Sequence, residues 1–186
     1  IVKVCGMRQP EKHQAVEQAG ADWIGLICYD RRLVCFIGPL YLPQHSKRIG
    51  IFVNEDYAGI THRAHELSLD YLQLHGKETP ELCKKLHEEG FRLIEGLSPF
   101  EKHPIWSVPM HMLLTVIISF STLPVMDMEV QDNLSLEYIG NYKGDTPFLL
   151  SGGIRPESLP ALSGFHHPRW AGIDLNSGFE TAPAQK

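Results

Sequence analysis

Four short stretches of the sequence place a chemically capable side chain or a glycine at the end of an apolar run. They are Cys5-Gly6, Gln73-Leu74-His75-Gly76, Ser151-Gly152-Gly153 and Asp174-Leu175-Asn176-Ser177-Gly178. Strands must end in turn residues anyway, so no one of these is a site by itself. The last two are more pointed as a pair. Ser151-Gly152-Gly153-Ile154 precedes a helix-like segment, and Asn176-Ser177-Gly178 follows the next apolar run. Two such loops can offer main-chain N–H groups and a helix N-terminus to one phosphate, with no side chain blocking its approach. Cys5 admits two readings. A cysteine at a strand end is commonly a small buried hydrophobe, whereas a thiolate base needs nearby cations or N–H groups that favour the anion. Arg8 and Lys3 lie near it in sequence, with strand alternation expected to turn Lys3 elsewhere.

The elements that must position these residues alternate between short apolar runs and helix-like stretches. Strands are expected at 1–4, 22–27, 48–53, 70–74, 91–94, 147–150 and 170–174, with a sixth strand in sequence order somewhere between Leu97 and Asn133. The β-branched run Thr115 to Ile118 lies in that interval, among four methionines and several prolines. Helices are expected at 11–18, closed by Gly20; from Asn54 as N-cap to about Leu67; from Thr79-Pro80 to Glu89, closed by Gly90; and at 156–162. Alternation at this spacing requires parallel strands joined by crossovers, and eight units close a (β/α)8 barrel. No Gly-x-Gly-x-x-Gly follows any strand, which disfavours a dinucleotide-binding sheet. The expectation is an α/β fold, a single (β/α)8 TIM-barrel domain over 1–186. Only twelve residues follow Asp174, too few for a complete last helix.

Composition bounds the partners. The chain of 186 residues carries 17 Lys+Arg against 22 Asp+Glu, a formal charge of −5, so it has no global basic footprint for nucleic acid. Its longest apolar stretch, Met112 to Phe120, is far short of the roughly 18 residues of a membrane span. Cys5, Cys28, Cys35 and Cys83 form no CxxC pair and no histidine pair has zinc spacing, so reduced thiols, a cytoplasmic location and no metal are expected.

Six blocks together resemble phosphoribosylanthranilate isomerase of tryptophan biosynthesis: KVCGM at 3–7, ADWIG at 21–25, GIFVN at 50–54, LQLHG at 72–76, PFLLSGGI at 147–154 and GIDLNSGFE at 172–180. They occur in the family's order and span most of the chain. The resemblance implies a (β/α)8 barrel and a cofactor-free Amadori rearrangement of N-(5′-phosphoribosyl)anthranilate, in a monomer or a homodimer. It implies Cys5 as the general base and an aspartate ending strand six as the general acid. Gly152, Gly153, Asn176, Ser177 and Gly178 match the phosphate cradle. Asp174 matches a carboxylate near the substrate's amine, Gln73 and His75 match the strand-four rim, and Arg8 joins the substrate-binding set.

The chain also departs from the family's pattern. Leu113-Leu114-Thr115-Val116 resembles the Leu-Leu-Asp-Thr-like strand without its aspartate, and no Gly-Gly-Thr-Gly-like loop follows. Val125-Met126-Asp127-Met128 retains a carboxylate, so Asp127 is the expected acid. Arg31 or Arg32 is the candidate partner for the anthranilate carboxylate, and Glu95-Gly96 stands where many members have a basic residue. Two readings follow: an active isomerase, or a catalytically impaired barrel that only binds a phosphorylated ligand. A relative of indole-glycerol-phosphate synthase is disfavoured, because strands one, four, seven and eight end without a lysine.

Overall fold

Eight parallel strands follow one another round a closed barrel, each hydrogen-bonded to the next in sequence and the eighth to the first. The computed structural model describes residues 1–7, 9–28, 41–97, 113–119, 136, 139–140 and 142–176, with backbone alone at 10, 97 and 113–119. The strands are β1 (Val2–Cys5), β2 (Trp23–Ile27), β3 (Lys47–Phe52), β4 (Tyr71–Leu74), β5 (Leu93–Leu97), β6 (Leu113–Ser119), β7 (Phe148–Ser151) and β8 (Trp170–Leu175). The described helices are α1 (Pro10–Gln18), α2 (Tyr57–Glu66), α3 (Pro80–Glu88) and α4 (Leu159–Gly164). Among the described residues no helix is long and apolar enough to cross a membrane.

Strand residues are apolar on both faces because both are covered, the outer by helices and the inner by the opposite wall. The outer layer packs Ile24, Leu26, Phe52, Leu72, Leu74, Phe148 and Leu150 against Ile60 and Ala64 of α2, Cys83 and Leu86 of α3 and Leu162 of α4. The inner cluster is Trp23, Ile49, Tyr71, Ile94 and Leu149, one residue from each of five strands. These plug the barrel's lower half. Two residues further along the same strands, towards their C-terminal ends, stand Gly25, Ile51, Gln73, Gly96 and Ser151.

Several boundaries differ from those expected. The second helix starts at Asp56, whose carboxylate accepts from the Gly59 N–H at 2.7 Å, rather than at Asn54. Asn54 adopts φ 52 and its Oδ1 accepts from the Lys77 N–H at 2.8 Å, so its side chain serves the neighbouring loop. The fifth strand begins two residues late because the Phe91 N–H returns to the Leu86 carbonyl, closing α3. The sixth strand occupies Leu113–Ser119 and contains the β-branched run. The segment from Pro156 is a 3₁₀ turn, Pro156–Ser158, continued by α4.

Candidate active site

The C-terminal ends of the strands gather the polar residues. Cys5 is the last residue of β1, buried, and paired in register with Gly25 of β2. A Cβ at position 25 would stand 2.8 Å from Cys5 Sγ and 3.1 Å from Ile51 Cδ1, so the glycine makes room for the thiol on the inner face. Gly6, at φ 85, turns the chain away immediately afterwards. The imidazole Nε2 of buried His13 lies 3.3 Å from the Met7 carbonyl and ties α1 to that turn. Cys28 and Cys83 belong to the outer layer, where burial pushes each thiol up to about 12.

Beneath Cys5, on the same face of β1, lies Lys3 with no exposed surface. Its Nζ donates to Gln73 Oε1 at 2.7 Å and to Asp174 Oδ2 at 2.8 Å. Alternation therefore places Lys3 opposite to the expectation: residues two apart on a strand share a face, so Lys3 and Cys5 point the same way. The sequence reading missed it, although a lysine and an aspartate inside two otherwise apolar strands must find partners when buried. Gln73 and Asp174 are both buried, and Asp174 Oδ1 has no hydrogen-bond partner among the described residues.

Around the rim, His75 follows β4 and Asn176 follows β8, both exposed. The His75 ring lies across Gly96 so closely that a Cβ there would meet Nδ1 at 1.9 Å. Gly152 and Gly153 adopt φ 92 and 70, a left-handed turn that only glycine takes without strain, directly after β7. The loops after β3 and β4 are joined by buried Glu78, whose carboxylate accepts the N–H of Asn54 at 2.7 Å and of Gly76 at 2.9 Å. Cys5, Gln73, His75, Gly152, Gly153, Asp174 and Asn176 thus share one end of the barrel. Arg8, Arg31, Arg32, Asp127, Ser177 and Gly178 lie outside the described residues. No cluster suited to a metal occurs among the described residues.

The sequence model described as N-(5′-phosphoribosyl)anthranilate (PRA) isomerase matches residues 2–186. The chain is 46% identical to the N-(5′-phosphoribosyl)anthranilate isomerase of Phocaeicola vulgatus, over all of this chain and 91% of that protein. It is 38% identical to that of Parabacteroides distasonis, over all of this chain and 87% of that protein. The phosphoribosyl anthranilate isomerase structure from Thermotoga maritima superposes with a TM-score of 0.76 at 26% identity, covering 100% of this chain and 91% of that one. A second isomerase structure, in complex with reduced 1-(o-carboxyphenylamino)-1-deoxyribulose 5-phosphate, gives a TM-score of 0.73 at 26% identity, with the same coverage of both chains. A strand-one thiol, a strand-eight carboxylate and a glycine turn after strand seven share one end of a closed barrel, and a family model matching residues 2–186 with a relative 46% identical over the whole of this chain places that barrel: the chain belongs to the N-(5′-phosphoribosyl)anthranilate isomerase family.

Proposed function

We propose that this barrel, as one domain over 1–186, converts N-(5′-phosphoribosyl)anthranilate to 1-(2-carboxyphenylamino)-1-deoxyribulose 5-phosphate in tryptophan biosynthesis. The observation that carries the reading is the inward Cys5 thiol beside Gly25, with the Asp174 carboxylate on the adjoining strand β8. The reaction is an internal redox-neutral shift. A proton delivered to the furanose ring oxygen breaks its bond to C1′ and leaves an imine. Removal of the C2′ proton gives an enolamine, and its tautomerisation places a proton on C1′ and a ketone at C2′. Cys5 is assigned the C2′ proton and Asp127 the ring oxygen, each group contributing roughly 10²–10⁴-fold. No cofactor or metal takes part in this scheme.

The phosphate is assigned to Gly152 and Gly153 with Asn176, Ser177 and Gly178. Asp174, Gln73, His75 and Arg8 complete the substrate set. Support for the cradle is the double left-handed turn after β7, which keeps side chains away from an approaching anion. We assign the protein to the cytoplasm, which suits its free thiols at Cys28 and Cys83. Its assembly is monomeric or homodimeric; a relative from Thermotoga maritima is described as dimeric, with monomers generated from it.

The test is fluorescence-monitored turnover of freshly generated phosphoribosylanthranilate by this chain, by Cys5→Ala and by Asp127→Asn. Loss of decay above the spontaneous rate in both variants is expected. Retained turnover in Cys5→Ala would sink the assignment. An inactive parent chain that still binds product would leave only a phosphate-ligand barrel.

A further inference from the structure

A lysine with no exposed surface needs a reason. Replacing a buried ion pair by apolar residues of similar volume is often neutral or stabilising, so stability alone gives no cause to keep Lys3 and Asp174. Their placement does. Lys3 sits one inward position below Cys5, roughly 6–7 Å along the strand, and reaches across the interior to Gln73 on β4 and sideways to Asp174 on β8. Gln73 clamps the ammonium from one side, so the carboxylate on the other is held by Oδ2 alone, with Oδ1 unspent.

The inward groups near Cys5 can be counted strand by strand among the described residues. From β2 come Trp23, Gly25 and Ile27, from β3 Ile49 and Ile51, from β5 Ile94 and Gly96, and from β7 Leu149 and Ser151, none of which titrates. β4 contributes Tyr71, stacked on Trp23 at the lower end, neutral Gln73 and, at the rim, His75; the Cys28 thiol just past β2 also interacts electrostatically with Cys5, and β6 holds no titratable residue type between Leu113 and Ser119. Among the described residues, the charged groups directly beneath the thiol are Lys3 and Asp174, and they are bonded to each other.

We propose that Lys3 is a positioning residue, which fixes Asp174 in one orientation towards the substrate and cancels its negative charge beneath the Cys5 thiolate. The proposal rests on the isomerase reading for the substrate, but its electrostatic half does not need turnover. An unpaired carboxylate on the neighbouring strand would disfavour a thiolate at Cys5, and an unpaired ammonium would favour it.

The experiment follows the thiolate directly by ultraviolet absorbance against pH, as the difference from Cys5→Ala, in the parent chain, Lys3→Met and Asp174→Asn. Lys3→Met is expected to move the Cys5 titration up by about one pH unit and Asp174→Asn to move it down by a similar amount. In turnover, Lys3→Met should lower kcat by about 100-fold, as a displaced reacting group does, with KM changed less. Should Lys3→Met fail to fold, Asp174→Asn alone carries the test through its downward shift. A Cys5 titration that stays in place in every folded variant overturns the proposal, whatever the rates. Opposite shifts in a parent chain without turnover would keep the Lys3 assignment and overturn the isomerase.

Discussion

Two of the buried carboxylates in this barrel, Asp174 and Glu95, lie on opposite faces of the sheet, and they are treated differently. Asp174, on the inner face, has a lysine at 2.8 Å. Glu95, one residue before Gly96 on β5, faces outward and is 0% exposed, yet neither of its oxygens has a partner among the described residues. Burial, then the negative charge of Glu78, push its pKa up to about 8. The outer carboxyl is therefore neutral at neutral pH, while the inner one is ion-paired. Similar burial has opposite electrostatic outcomes because, among the described residues, Asp174 has a lysine within hydrogen-bonding distance and Glu95 has no partner, and charge is spent on the side where the site lies.

The largest effect comes from making the inner carboxylate resemble the outer one. Lys3→Met should cost about 3–5 kcal/mol of unfolding free energy, the usual result of orphaning a buried charge. Denaturant melts should then show the double variant Lys3→Met/Asp174→Asn recovering a large part of that loss; a double variant no more stable than Lys3→Met would contradict the pairing. The next effect concerns Glu95. Between pH 4.5 and about 8 the folded state holds a proton on this group that the unfolded chain has released. Its contribution to stability is therefore fully present below pH 4.5 and is lost as pH rises through about 8, by at most about 1.4 kcal/mol per pH unit. Glu95→Gln should flatten that slope in melts across the range, and an unchanged slope would refute the assignment. The smallest effect tests the helix that covers Glu95. Thr79 Oγ1 accepts from the Leu82 N–H at the start of α3, so Thr79→Ala should cost about 1 kcal/mol in a denaturant melt and leave turnover unchanged.

The same two faces explain how much of the molecule was legible beforehand. Apolar runs and glycine stops located the barrel, because a strand covered on both sides has a composition that reads plainly. The positions of Cys5, Gly152 and Asp174 at strand ends followed from the same arithmetic. Lys3 shares the inner face with Cys5, because residues two apart on a strand point the same way. Asn54 read as a helix cap because capping chemistry is local, whereas its actual partner, Lys77, lies 23 residues away in another loop. Glu95 and Gly96 read together as one replaced position. They face opposite ways, and the glycine is what admits His75 from the next strand. Contacts between strands, unlike periods within them, are not written in any single segment.

The bond between Lys3 and Asp174 spans 171 positions of the chain. A ring of strands has a seam, and here the seam joins the first strand to the last. During synthesis Lys3 cannot meet Asp174 until β8 has emerged, and closing so long a loop is entropically slow. An unfinished chain must carry an unpaired ammonium where the finished one has a salt bridge, so barrel closure and the maturation of the thiol's surroundings are one event. Activity in this protein therefore reports completion: a chain that stops before β8 lacks the counter-charge as well as the strand.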